Sequence, residues 1–230
     1  MPIREKLVKR ARKARLTLSN DAISGLIAYF ELLKKWNHKV SLTSLPIVED
    51  GEEALDRLLI EPALAAAFFP KPDAVVIDVG SGGGSPAIPM KLLSPAVSMR
   101  MIESKTRKAA FLREAIRHLA LTGATVEAFR VEELLIRPEL HEAADVVTIR
   151  AVRVEKKLLA ELQAFIKPQG LLFLFRSGDV AADAGLSNEL LRLEATHTLL
   201  PHLQTRLVVL RNVPRGTGAG RESNEMRSKK

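Results

Sequence analysis

The sequence predicts an α/β protein: a mostly parallel sheet covered on both faces, preceded by a helical extension. Three observations carry this. From Ala74 onward short apolar runs alternate with amphipathic helical segments. The runs are continuously apolar rather than alternating, as strands buried on both faces are. A cluster of glycines (Gly80, Gly82, Gly83, Gly84) follows the first run directly.

The elements follow in order. Residues 21–37 place Ile23, Leu26, Ile27, Phe30, Leu32 and Leu33 on a helical stripe, with Ser19, Asn20 and Asp21 as cap candidates. Trp36, the only tryptophan, ends this helix against the core. Residues 50–68 read as a second amphipathic helix through Leu55, Leu58, Leu59, Leu64 and Phe68, interrupted by Pro62. Pro70 to Asp73 breaks the pattern. Strands are expected at 75–79, 97–102, 125–129, 145–149 and 170–175, with helices at 87–93, 105–119 and 156–165 between them. Two late strands near 193–199 and 206–213 close the sheet. The division expected is an extension over 1–73, a sheet domain over 74–213 and a disordered basic tail over 214–230.

Composition narrows the chemistry. The 230 residues include no cysteine, which excludes disulfides, thiolate metal sites and a cysteine nucleophile. The five histidines are scattered without ligand spacing, so no metal site is expected. No apolar run is long enough to span a bilayer. The N-terminus lacks a secretory apolar region, and a cytoplasmic location is expected. The net charge of +8 sits at the ends: +6 on residues 1–15, +3 on 214–230 and −1 between them. Such ends read as phosphate-seeking arms or as solvated termini.

The glycine cluster admits two ligands. A strand of a parallel sheet delivers its carboxyl end to the ligand crevice. Gly82, Gly84 and Ala87 fit the alanine-ended dinucleotide pattern, with Glu103 placed for a ribose. S-adenosylmethionine is the other candidate. It needs a glycine floor under its methionine part and a carboxylate for its ribose diol. Asp78-Val-Gly80-Ser-Gly82, with Glu103 ending the second strand, has both.

Here the residues resemble one family. "IDVGSGGGSPAIP", "MIESKTRKAAFLREAIRHLAL", "VEEL" at 131–134 and "DVVTIRAV" at 145–152 follow in order, with "LIAYFELLKKWNHKVSLTS" before them and "RLVVLR" after. Over about residues 20–213 this is similar to the bacterial small-subunit ribosomal RNA guanine-N7 methyltransferase G family, also called glucose-inhibited division protein B. The resemblance implies a seven-stranded, Rossmann-like class I methyltransferase using S-adenosylmethionine. It also implies that Gly80 and Ser85 line the cofactor, that Val131 and Glu132 hold its adenine, and that Arg150 stands at its RNA-facing edge. Arg57, Lys108 and Arg176 are the RNA-side candidates. The expected partner is small-subunit ribosomal RNA or the assembling subunit, met by a monomer. Leu58, Ser41, Ser85, Ala87 and Arg176 depart from the family pattern, more on the RNA-facing rim than on the cofactor floor.

Guanine N7 carries a free lone pair. Its methylation needs no general base, only alignment and a water-poor pocket. The sequence has no Asn-Pro-Pro-aromatic stretch of the kind that holds an exocyclic amine. Arg150 is expected as a positioning residue, bonding guanine O6 or a phosphate, or else paired with Asp145 or Glu132. Lys105, Arg107 and Lys108 open a helix where cations are unfavourable, which a phosphate partner or a plain solvated turn would explain. Aromatic residues make up 4%, which argues for recognition through backbone and shape rather than stacking. Two other readings stand beside the methyltransferase: a non-catalytic ribosomal RNA-binding protein of the same fold, and an NAD-dependent oxidoreductase.

Overall fold

The computed structural model describes residues 1–48, 51–150, 155–178, 183 and 185–213. The glycine-rich tail over 214–230 lies outside them, and so do Ala151 and Val152, the last two residues of the "DVVTIRAV" stretch; the expectation of a disordered tail therefore falls outside the described residues.

The chain opens with two helices, α1 (Ile3–Lys13) and α2 (Asn20–Asn37). The charge of residues 1–15 reads as a phosphate-seeking arm or a solvated terminus; the structure shows that this segment is not loose but a docked helix. One face of α1 is apolar enough to dock, burying Leu7, Arg10 and Ala11. Arg10 donates to both carboxylate oxygens of Asp56, pairs with Glu52, and lies 2.9 Å from His202 Nε2. Ser19 caps α2 by accepting from Ala22 N at 3.1 Å. Trp36 meets Phe111 edge-on, ring centroids 5.8 Å apart.

The single helix expected over 50–68 is broken into four pieces. These are α3 (Glu52–Leu55), a π-helical turn (Asp56–Ile60), α4 (Glu61–Ala65) and a 3-10 turn (Ala66–Phe68). Pro62 is the cause that the sequence supplies. It has no N–H, so it is tolerated only in the first turn of a helix, where that donor is not needed. The wider π turn lies just upstream of it.

The sheet has seven strands: β1 (Val75–Val79), β2 (Ser98–Ile102), β3 (Ala124–Glu127), β4 (Ala144–Arg150), β5 (Ile166–Ser177), β6 (Leu191–Leu200) and β7 (Thr205–Asn212). Their order is β3-β2-β1-β4-β5-β7-β6. The first five are parallel, and β7 runs antiparallel to both β5 and β6. Helices α5 (Ala87–Leu93), α6 (Thr106–His118), α7 (Val131–Leu134) and α8 (Lys156–Phe165) connect the strands. The short α7 was not expected as an element.

Strand residues alternate between two cores, as the period of 2 requires. Val76, Met101, Val146 and Phe173 face a core that holds Leu26, Phe30, Leu33, Leu55 and Leu59 from the N-terminal helices. Ile77, Ile102, Val147 and Leu172 face the other, with Leu159, Leu162 and Phe165 of α8. The N-terminal helices therefore share a core with the sheet, and they cover the face beside which the glycine turn opens. Strand order reverses between β1 and β4, so the carboxyl ends of these strands diverge into a crevice.

Candidate active site

The glycine turn sits in that crevice and is pinned on every side. Gly80 N and Ser81 N donate to Ile102 O at 2.9 and 3.0 Å. Gly82 N donates to Glu103 Oε2 at 2.8 Å. The Tyr29 hydroxyl, reaching from α2, donates to Gly83 O at 2.7 Å. Gly84 shows why glycine is needed. Its φ is +88°, and a Cβ there would lie 2.5 Å from Ile88 Cδ1.

Asp78 is only 1% exposed and lies beneath this turn rather than on the cleft wall. Its Oδ1 accepts from the Thr148 hydroxyl at 2.6 Å, across the β1–β4 pairing. Its Oδ2 has no hydrogen-bond partner. Burial pushes the carboxyl up to about 6, with the Thr148 hydrogen bond and the nearby Arg150 charge pulling the other way.

Glu103 closes β2 and faces the turn. Its Oε1 accepts from Lys105 N at 2.8 Å. Each carboxylate oxygen thus holds one backbone N–H and keeps further acceptor capacity.

Arg150 ends β4 as expected, but its partners differ from those expected. Neither Asp145 nor Glu132 holds it. Its Nη2 lies 3.3 Å from Glu61 Oε2, its Nη1 donates to Arg57 O at 2.5 Å, and Ser85 Oγ is 3.2 Å away. Asp145 instead pairs with Lys71 and Lys167 at the opposite end of the strand. The Glu61 side chain is 3% exposed, and burial raises its pKa against the pull of Arg150.

Pro62 explains why Arg57 O is available. In the π turn Glu61 N donates to Asp56 O, one residue beyond the α-helical partner. The next donor in that ladder would be Pro62, which has none. The Arg57 carbonyl then takes the arginine. The neighbouring carbonyl of Leu58 accepts from Ser85 Oγ at 3.0 Å.

These groups border a cleft of about 640 Å³. Of the expected site residues, Gly80, Gly82, Ser85, Glu103, Arg150, Arg57 and Lys108 all line it. Val131 and Glu132 line a smaller recess of about 250 Å³, which shares Gly80 and Glu103 with the cleft and adds Phe129. Arg176 is not brought in. It lies outside both, at the end of β5, with its guanidinium 3.1 Å from Asp183. Tyr29, Glu61 and Thr148 were missed. Tyr29 had a signal, a lone tyrosine on an apolar stripe whose hydroxyl must find a buried partner. Glu61 and Thr148 had none, because their partners are remote in sequence.

An acid-anchored glycine turn joined to two recesses suits an elongated ligand with a diol and an amino-acid end. The comparisons agree. Solved structures share the fold: an S-adenosylmethionine-dependent methyltransferase from Aquifex aeolicus (TM-score 0.53, 18% identity, 80% of this chain and 98% of that one). A structure of MtNAS with MTA and tNA gives TM-score 0.60 at 14% identity, over 83% of this chain and 72% of that one. Ribosomal RNA small subunit methyltransferase G of Roseiflexus castenholzii is 30% identical over 219 residues, 91% of this chain and 92% of its own length. Its counterpart in Rhodospirillum centenum is 36% identical over 173 residues, 74% of each chain. The family profile described as rRNA small subunit methyltransferase G matches residues 22–208, and the chain belongs to that family of S-adenosylmethionine-dependent methyltransferases.

Proposed function

We propose that this chain methylates N7 of a guanine in small-subunit (16S) ribosomal RNA, and that the cleft between the glycine turn and Arg150 is where it does so. The observation that carries this is the meeting of the two recesses at Gly80 and Glu103, within the cleft that Arg150 also lines. The cofactor would lie across that junction. Gly80 and Gly82 form its floor, Glu103 receives the ribose hydroxyls, and Val131 and Glu132 flank the adenine. Asp78 supports the floor from below. S-adenosylmethionine supplies a sulfonium methyl, which an N7 lone pair accepts with no proton removed beforehand.

The residues suit that demand. No general base is required, and Arg150 with Glu61 forms a pair of no net charge. A positive charge passing from sulfur to guanine therefore meets no uncompensated cation at the arginine. Arg150 retains donor capacity beyond its bonds to Arg57 O and Ser85. We assign it to orient guanine through O6, and Ser85 to hold Arg150 in place. Arg57, tied to Glu53 at 2.8 Å, and Lys108 stand on the RNA side of the cleft. Action on ribosomal RNA would place the chain in the cytoplasm, and we assign it to work there as a monomer.

Transcripts of small-subunit RNA carrying 7-deazaguanosine test the atom assignment. They lack N7 and should accept no labelled methyl. Inosine-containing transcripts, which lack only the exocyclic amine, should still accept it. Transfer to the 7-deaza transcript would refute N7.

A further inference from the structure

A second basic surface adjoins the cleft. Lys105 and Lys108 stand at the cleft mouth. One helical position away, Arg107 lines a separate groove of about 740 Å³ together with Lys35, Trp36, Lys39, Glu114 and Arg117. Arg117 is neutralised by Glu114. Among the described residues Lys35, Lys39, Lys105, Arg107 and Lys108 make no ion pair.

The start of α6 is a poor place for three cations. Its first turn holds no acid, and no side chain caps it. The helix dipole is positive there. Glu103, which closes β2 just before α6, has an oxygen on each of two backbone N–H groups. Among the described residues no carboxylate pairs directly with these basic side chains, whereas a polyanion would. Trp36 is half-buried, with one edge on Phe111, and it lines the groove between these cations.

We propose that this band, from the cleft mouth across the start of α6 to the Trp36 groove, is the docking track for the ribose–phosphate backbone flanking the target guanine. The proposal rests on the RNA methyltransferase reading. Continuity favours RNA as the occupant. A strand entering the cleft passes Lys105 and Lys108, and the groove cations carry the same charge pattern onward. Trp36 offers one ring on which an unpaired base can stack. This assigns the main phosphate attraction of the described residues to the body of the protein rather than to α1.

The test uses the full chain and a small-subunit ribosomal RNA transcript at several salt concentrations. One variant is Lys35→Ala/Lys39→Ala/Arg107→Ala. The control is Lys9→Ala/Arg12→Ala/Lys13→Ala, an equal charge loss on exposed positions of α1. Each phosphate contact contributes roughly 0.7–0.9 to the slope of log affinity against log salt, so the groove variant should be shallower by about two. Its KM for RNA should rise at least about tenfold, with kcat and S-adenosylmethionine affinity kept. The control should stay within about twofold of the wild type. Unchanged slope and KM in the groove variant overturn the proposal. So does an equal loss in the control, which would make net charge the cause. Failure of the underlying reading shows separately, as a wild-type chain that transfers no methyl to RNA.

Discussion

Replacing Asp78 by asparagine tests how the glycine turn is supported. The carboxyl is 1% exposed, and burial raises its pKa from 3.8 to about 6. The folded chain therefore holds this proton more tightly than the unfolded chain does. The stability that results is complete below about pH 4, is lost as pH rises through about 6, and is absent above it. A shift of roughly two units at about 1.36 kcal/mol each means that the ionised carboxylate costs the fold about 3 kcal/mol at neutral pH. Asparagine has the same shape and no charge. Its carbonyl can still accept from the Thr148 hydroxyl. Its amide nitrogen would stand where Oδ2 has no partner, adding a penalty of about 1–3 kcal/mol that does not vary with pH. The informative quantity is the difference in unfolding free energy, variant minus wild type, from urea titrations between about pH 4 and pH 8. It should climb by about 3 kcal/mol up to about pH 7 and then level. A difference that stays flat with pH refutes the reasoning.

Arg150→Ala should lower methyl transfer at least about tenfold, the effect of losing roughly 1.4 kcal/mol at the transition state, and should destabilise the fold by stranding buried Glu61. Adding Glu61→Gln should recover the stability and not the transfer; recovery of both would reduce Arg150 to a structural residue. Pro62→Ala restores a backbone N–H that competes for the Arg57 or Leu58 carbonyl, so kcat should fall several-fold while the cofactor affinity holds. An unchanged kcat would show that the freed carbonyls do not position Arg150. Leu7→Ala should cost about 2–5 kcal/mol in denaturant unfolding, because Leu7 is fully buried; a loss near zero would mean that α1 is a loose arm after all.

The sheet was legible because its signals are local. Continuous apolar strands, Pro and Gly breaks and the acid–glycine turn each lie within a few residues, and they located β1, β2, α5 and α6 to within about two residues. The cleft was legible for the same reason: Gly80, Gly82 and Glu103 sit at strand ends, where a parallel sheet presents its ligands. What was hidden depends on contacts remote in sequence. The cationic residues 1–15 look solvated until Asp56 and Glu52 are seen around Arg10. The apolar run over 50–68 looks like one helix because periodicity does not register a one-residue change in hydrogen bonding, and that change frees the carbonyl that holds Arg150. Arg176 was placed with the RNA-side residues by the family resemblance, yet it lies outside the cleft beside Asp183, which it shares with Arg206.

Mass mapping of small-subunit ribosomal RNA, prepared from cells with and without this chain, tests the central claim most directly. The account expects one guanine to carry a methyl on N7 only when the chain is present, with the mark lost on Arg150→Ala. A methyl at another atom, or in the large subunit, or the same RNA with and without the chain, would contradict it.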